Sequence, residues 1–251
     1  MLSKARIKLI NQLKQKKYRD VNKMFLAEGS INVSDFIKSG TNVVELFATD
    51  NWIQDNESSI SDLYVTEVSS KDLKKISALS SPSQVLAILN LPHTPEEGQI
   101  TQNNLTIALD SISDPGNLGT IIRTADWFGI KQIYCSNDTV DAYNPKVVQA
   151  TMGSLARVEV SYTDLKTLFQ NKPKDFPIFG AVLNGERITE IKPQKNGVIL
   201  IGSEAHGISN ELLQYITNKI TIPSHDQSAQ NKLESLNASI ATAIILYALN
   251  G

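Results

Sequence analysis

The chain has few of the residues that build covalent or metal cross-links. Cys135 is its only cysteine, so the sequence has no disulfide framework and no cysteine-based zinc site. The histidines His93, His206 and His225 lie far apart, without the H-x-x-x-H spacing of a zinc-binding helix. A metal site built from carboxylates stays open, but no cluster of acids points to one. We therefore expect a protein that works without a metal.

Long apolar runs are also missing, since no stretch reaches the roughly 18 residues that a membrane-spanning helix needs. The basic start has spaced rather than continuous apolar residues, which argues against a signal peptide. The 251 residues are 41% hydrophobic and 20% charged, with 13 glycines and 9 prolines, which excludes disordered and collagen-like classes. We expect a globular protein of the reducing cytoplasm.

The net charge of −2 argues against a nucleic-acid binder when the chain is taken as a whole. Residues 1–23, however, combine eight basic side chains with the single acid Asp20, a local charge of +7. Ile7, Ile10 and Leu13 recur there at helical spacing, which predicts an amphipathic basic helix. The alternative interpretation is a helix whose basic face is only exposed to solvent and binds no phosphate. The candidate phosphate contacts are Lys4, Arg6, Lys14, Lys16, Lys17 and Arg19.

Two α/β parts follow one another along the sequence. The stretch 91–99 contains two prolines and no apolar periodicity, so it is typical of a linker. Beyond it, apolar strands alternate with helices, which predicts a mostly parallel sheet covered on both faces. We expect an N-terminal domain over 1–91, a linker over 92–102 and a second α/β domain over 103–251.

Three loops of the second domain follow predicted strands, where the ligands of parallel sheets collect. The first loop has a Pro-Gly turn and places Asn117 at the expected N-cap of a helix over about 117–128. Arg123 lies nearly two turns further along that helix. The alternative interpretation is a simple cap and a surface arginine.

The second loop follows the apolar strand 198–202 and carries Glu204, either a charge held in a site or a solvated carboxylate. The third follows Ile222 and leads to Ser235 and Asn237, at the start of an apolar helix rich in small residues. Those two polar residues are either part of a site or caps on a packed helix. A nucleotide-binding metabolic enzyme of the doubly wound class stays open, although it would need no basic N-terminal helix.

Together these loops resemble the motifs of the SpoU/TrmH family of RNA ribose 2′-O-methyltransferases, within the SPOUT superfamily. The first motif is similar to residues 114–125, Asp-Pro-Gly-Asn-Leu-Gly-Thr-Ile-Ile-Arg-Thr-Ala. The second is similar to 201–208, Ile-Gly-Ser-Glu-Ala-His-Gly-Ile, and the third to Ile222-Pro followed by Glu-Ser-Leu-Asn-Ala-Ser-Ile-Ala at 234–241. Residues 144–155 resemble the segment between motifs one and two. The basic helix and Phe25–Gly29 resemble the family's substrate-binding domain, whose fold is shared with kink-turn-binding ribosomal proteins.

The resemblance implies a parallel-sheet domain with a C-terminal trefoil knot, a homodimer and S-adenosylmethionine as the cofactor. It implies cofactor contacts from Leu183, Gly202, Ile222, Leu233 and Leu236. It implies a catalytic set of Asn117, Arg123, Glu204, Ser235 and Asn237. Because a guanidinium stays protonated in proteins, we expect Arg123 to hold a phosphate and stabilise a developing alkoxide rather than to act as a base.

The function implied is methyl transfer to RNA, with ribosomal RNA favoured because the extra N-terminal domain is more typical of members that act there. The alternatives are a tRNA methyltransferase and a non-catalytic RNA-binding or ribosome-assembly protein on the same fold. One departure from the family pattern is the stretch 224–232, which is longer than the usual short turn and leaves the cofactor contacts around it open.

Overall fold

The computed structural model describes residues 2–92, 100, 104–224 and 235–250, in which helices and strands alternate along the chain. Residues 93–99, 101 and 102 of the predicted linker, residue 103 of the predicted second domain and residues 225–232 of the long loop lie outside the described residues. The helices are α1 (Lys4–Leu13), α2 (Lys16–Asn22), α3 (Ser30–Lys38), α4 (Asp50–Ile60), α5 (Ser70–Ile76), α6 (Pro115–Trp127), α7 (Pro145–Thr151), α8 (Leu165–Gln170), α9 (Asn210–Leu213) and α10 (Ala238–Asn250). The strands are β1 (Met24–Glu28), β2 (Val43–Ala48), β3 (Val65–Glu67), β4 (Val85–Asn90), β5 (Leu105–Asp110), β6 (Gln132–Cys135), β7 (Glu159–Tyr162), β8 (Ile178–Arg187), β9 (Gly197–Gly202) and β10 (Asn218–Thr221).

The chain divides into two units by its contacts. The N-terminal unit comprises the described residues of Met1–His93 together with Asp141–Arg157, and the C-terminal unit those of Thr94–Val140 and Val158–Gly251. No helix in these described ranges is long and apolar enough to cross a membrane.

The N-terminal unit is built on a four-stranded sheet in the order β1-β4-β2-β3. β4 pairs antiparallel with β1 and β2, while β2 and β3 are parallel. Successive residues of a strand point to opposite faces. Leu26 accordingly packs in one apolar cluster with Ile10 and Leu13 of α1, while Phe25 stacks edge-on against Phe36 of α3 on the other face.

Residues 141–157 of the predicted second domain complete this N-terminal unit. Their helix α7 packs against β1, and the Tyr143 ring lies 4.8 Å from that of Phe25. Arg19 donates from Nε and Nη2 to Asp141 Oδ2 at 3.0 and 2.5 Å, and Arg157 donates to Asp35 at 2.7 Å. The segment is therefore held to the unit by one ion pair at each of its ends.

The C-terminal unit contains a six-stranded sheet in the order β10-β8-β9-β5-β6-β7, and each neighbouring pair is parallel. Val198 and Leu200 of β9 pack in an apolar cluster with residues of α8 and α9. Ile199 and Ile201, which point to the opposite face, are buried as well. The predicted parallel sheet with both faces covered is confirmed.

One helix begins earlier than predicted, and another was not predicted. Helix α6 begins at Pro115, and the Asp114 side chain caps it by accepting from the Asn117 N–H at 2.8 Å. Asn117 is therefore the third residue of the helix and not its cap, which leaves its side chain free for other contacts. Helix α4 was not predicted from the sequence, because its residues are mostly polar and only Trp52 and Ile60 are buried.

Candidate active site

A cavity of about 910 Å³ opens at the carboxyl ends of β8, β9 and β10 in the C-terminal unit. Apolar side chains and backbone form most of its wall, and Ser235 is one of its polar lining residues. Four of the five predicted cofactor contacts lie in this lining: Leu183, Gly202, Ile222 and Leu236. Leu233, the fifth, lies outside the described residues. Residues predicted from three separate motifs thus surround one cavity.

Glycine is required where backbone segments meet at this cavity. A Cβ on Gly202 would collide with the backbone of Gly207 and Ile208, because the loop from Ser203 to Gly207 folds back onto the end of β9. Gly207 N donates to Ser203 O at 2.9 Å and closes that loop. A Cβ on Gly185 would lie 2.7 Å from the Ile220 backbone, next to the register shift between β8 and β10.

Three of the predicted catalytic side chains form one hydrogen-bonded chain beside the cavity. Asn237 Nδ2 donates to Asn117 Oδ1 at 2.9 Å, and Asn117 Nδ2 donates to Glu204 Oε1. Glu204 also lines the cavity, so the polar chain borders the space where a ligand fits. The other carboxylate oxygen of Glu204 has no hydrogen-bond partner among the described residues. This oxygen is available to a substrate hydroxyl.

Asn237 has a second role, at the start of α10. Its Oδ1 accepts from the backbone N–H groups of Ser239 and Ile240 at 2.9 and 3.3 Å, as an N-cap does. The Ser239 hydroxyl donates to the same oxygen at 2.7 Å. Ser239 was not among the predicted site residues, because a serine near a helix start gives no signal in the sequence of what its side chain bonds to.

Arg123 and Ser235 do not join this chain of hydrogen bonds. Arg123 is exposed on α6 and makes no hydrogen bond or ion pair with any described residue. Ser235 is exposed and lines the cavity. The structure therefore brings together Asn117, Glu204 and Asn237, places Ser235 at the cavity they border, and leaves Arg123 open to solvent on the same helix as Asn117.

The predicted phosphate contacts of the N-terminal unit fall into two groups. Lys4, Lys16 and Lys17 are exposed, and Lys16 forms a surface ion pair with Asp20 at 3.2 Å. They lie on two helices rather than the single one predicted, because Gln15 is extended and separates α1 from α2. The other three are Arg6, Lys14 and Arg19, and each has a partner inside the unit.

Arg6 pairs with the buried Glu45 at 2.5 Å. Lys14 donates to Ser77 O at 2.7 Å. Its partial burial lowers its pKa by more than the negative charge of nearby Glu28 raises it. For Arg19 the expectation of a phosphate contact is wrong, because its side chain is 2% exposed and its guanidinium is bound to Asp141 and Leu13 O. Burial of such a charge requires these partners.

No group of three or more His, Cys, Asp or Glu side chains that could hold a metal ion occurs in the described ranges. The polar side chains at the largely apolar cavity are amides, a carboxylate and hydroxyls. Such groups orient a ligand hydroxyl by fixed hydrogen bonds.

Comparison with known proteins gives two family matches. The sequence model described as the SpoU rRNA Methylase family matches residues 104–247, and that of the MRM3-like substrate binding domain matches residues 4–87. Among curated proteins, the chain is 30% identical to the 23S rRNA (guanosine(2553)-2'-O)-methyltransferase RlmP of Bacillus subtilis, over 98% of this chain and 96% of that protein.

Two solved structures resemble nearly the whole chain. An AdoMet-bound rRNA methyltransferase from Sinorhizobium meliloti has a TM-score of 0.86 and 29% identity, and the match covers 99% of this chain and 95% of that one. A TrmH-family protein from Porphyromonas gingivalis has a TM-score of 0.83 and 34% identity, with 99% and 98% covered.

Proposed function

The chain belongs to the SpoU rRNA methylase family, and from this premise we propose that it methylates a ribose 2′-oxygen of ribosomal RNA with S-adenosylmethionine. The observation that carries the proposal is the chain Asn237–Asn117–Glu204 beside a ligand-sized cavity at the strand ends. The near full-length similarity to a 23S rRNA 2′-O-methyltransferase favours ribosomal RNA over tRNA.

The cavity fits the cofactor in size and chemistry. Its volume of about 910 Å³ lies within the range of small-molecule sites, about 300–1,000 Å³. Leu183, Gly202, Ile222 and Leu236 would hold the cofactor, since their close-packed backbone supplies N–H and C=O groups and their side chains an apolar wall. When bound, the cofactor supplies an electrophilic methyl group on a sulfonium. Ser235, in the same lining, would contact the reacting groups.

The protein's own contribution to transfer is orientation and charge. Glu204 would accept a hydrogen bond from the ribose 2′-hydroxyl at its unpartnered oxygen, while Asn117 donates to its other oxygen. Arg123, exposed on the same helix as Asn117, would hold a neighbouring phosphate and stabilise negative charge that develops on the 2′-oxygen. In-line transfer then needs the hydroxyl held in place and its proton accepted.

The N-terminal unit would supply affinity for the RNA. Lys4, Lys16 and Lys17 are exposed, and cationic side chains of this kind meet a phosphate backbone without reading its sequence. We propose that residues 1–91 bind RNA, that residues 92–102 form a linker and that residues 103–251 carry out methyl transfer, with the bounds that the sequence predicts. We also propose a cytoplasmic location, which the similarity to a bacterial ribosomal RNA methyltransferase supports.

We further propose that the protein acts as a homodimer and that its C-terminal segment is knotted. Ile240, Ile244 and Tyr247 form an apolar stripe on α10 at spacings of four and three residues, and each is exposed. Trp127, 86% exposed, ends α6, which packs against α10. A second copy of this chain would cover that face. The tight passage of Gly185 past the Ile220 backbone supports a knot.

The test is methyl transfer to RNA from a strain that lacks the gene. Purified protein with methyl-labelled S-adenosylmethionine is expected to label ribosomal RNA at one ribose 2′-oxygen, which is mapped by its resistance to alkaline cleavage. RNA from the parent strain, already modified, should accept no label. Labelling of tRNA alone would support the tRNA alternative. No labelling and no S-adenosylmethionine binding by calorimetry at millimolar concentration would refute the proposal.

A further inference from the structure

We infer that Ser239 is a positioning residue for methyl transfer: through Asn237 and Asn117 it fixes the direction of the hydrogen-bonded chain that ends on Glu204. This inference rests on the proposed function. Ser239 is buried, 6% exposed, at the second position of α10, and its Oγ lies 2.7 Å from Asn237 Oδ1. Ser239 does not itself line the cavity and makes no hydrogen bond to Glu204, so it acts through other side chains.

The direction of the chain is set at the start of α10. Backbone N–H groups can only donate, and two of them, from Ser239 and Ile240, point at the same atom of Asn237. That atom must therefore be the amide oxygen. A flipped amide would set its own N–H groups against two donors. Asn237 consequently presents its NH₂ group to Asn117.

The same logic passes along the chain. Because Asn117 receives a donor from Asn237, it must present its oxygen on that side and its NH₂ group on the other. The NH₂ group then donates to Glu204 Oε1. A donor on this side makes Glu204 Oε1 the acceptor and leaves the second carboxyl oxygen for another partner. The order of donors and acceptors thus runs from a helix N-terminus to the carboxylate beside the cavity.

Ser239 adds the third donor to the oxygen of Asn237. Its single hydroxyl hydrogen goes to Asn237 Oδ1 at 2.7 Å rather than to Asn117 Oδ1, which is 3.5 Å away. Asn237 itself is exposed, so hydrogen bonds rather than packing hold its side chain in one rotamer. Loss of the hydroxyl is expected to let Asn237 and Asn117 move, with the loss of orientation appearing in the rate of transfer.

Threonine and valine at position 239 make a matched pair, because they have nearly the same shape and differ in the hydroxyl. We expect Ser239→Val and Ser239→Ala to lower kcat about tenfold, the order of one hydrogen bond, and to leave KM and the Kd of S-adenosylmethionine within about twofold. Ser239→Thr should keep most of the wild-type kcat. Thr242→Val is the control, because it removes a buried hydroxyl of α10 that bonds only to Ala238 O.

Asparagine side-chain NMR gives a readout that needs no activity. In protein labelled with ¹⁵N-asparagine, the NH₂ hydrogens of Asn117 and Asn237 should exchange with water faster in Ser239→Val than in the wild type, and at the wild-type rate in Ser239→Thr. Equal effects of valine and threonine on both readouts, or wild-type exchange and kcat in Ser239→Val, would overturn the inference. If the wild-type protein labels no RNA, the proposed function fails while the exchange rates still decide the role of Ser239.

Discussion

Asn117 joins residues that are far apart in the sequence, since Glu204 lies 87 positions and Asn237 120 positions beyond it. Their meeting follows from the parallel sheet, whose strand-end loops converge on one edge. The role of Ser239 could not be predicted in the same way. A buried serine at a helix start is ordinarily a local hydrogen-bonding residue, and only the contact with Asn237 shows what it bonds to.

Arg123 is the site residue whose contribution is easiest to isolate. It is exposed and bonds to no described residue, so Arg123→Ala should leave folding and S-adenosylmethionine affinity unchanged. Loss of its charge at the developing alkoxide should lower kcat by about 10²-fold or more. Single-turnover transfer, calorimetry and the thermal midpoint measure the three quantities.

Lys131→Ala is the control for Arg123→Ala, because Lys131 is an exposed cation of the same unit that makes only a long ion pair, with Asp126 at 3.9 Å. It should not change the transfer rate. Wild-type turnover in Arg123→Ala would remove that arginine from the reaction.

At the scale of elements, the segment 141–157 is the feature least visible in the sequence. In the sequence its residues lie between β6 and β7 of the parallel sheet, yet α7 packs on β1 within the N-terminal unit. Local pattern predicts that α7 exists but gives no partner for its apolar face. The burial of Arg19 has the same cause, because its partner Asp141 is 122 positions away.

The ion pair of Arg19 and Asp141 should stabilise the N-terminal unit strongly. Arg19→Ala leaves a carboxylate that is 14% exposed without its guanidinium, so we expect a loss of about 3–5 kcal/mol in the free energy of unfolding. Denaturant titration measures this loss, and a cycle with Asp141→Asn separates the pairing energy from the loss of packing.

Arg157→Ala provides the comparison at the other end of the segment. Arg157 is 41% exposed and its partner Asp35 23%, so this change should cost less than about 1 kcal/mol. Equal losses at the two ends would contradict the importance of burial for the Arg19 pair.

At the scale of the molecule, the proposed dimer depends on the apolar stripe of α10. Tyr247→Lys places a charge in that stripe, so it should convert a species of twice 27.6 kDa into one of 27.6 kDa in light scattering. Tyr64→Lys is the matched control, because Tyr64 is 67% exposed against 75% for Tyr247 and lies in the N-terminal unit. A monomeric wild-type protein, or monomers with both variants, would contradict the proposal.

The fold class and the family could be predicted from the sequence, because alternating elements and three ordered motifs are local signals. The parallel sheet and the family are confirmed. The predicted start of α6 was two residues too late. Asp114 and Asn117 are both good N-caps, and only Pro115 at the first helical position favours the earlier start.

The position of residues 141–157 also has a consequence for synthesis on the ribosome. The N-terminal unit is complete only when Arg157 has been added, more than sixty residues after the end of its last sheet strand, β4. At about 5–20 residues per second this delay lasts roughly 3–13 s. During that interval Phe25 has the ring of Phe36 beside it but lacks that of Tyr143, so this face of the nascent sheet stays incompletely covered until its own later sequence arrives.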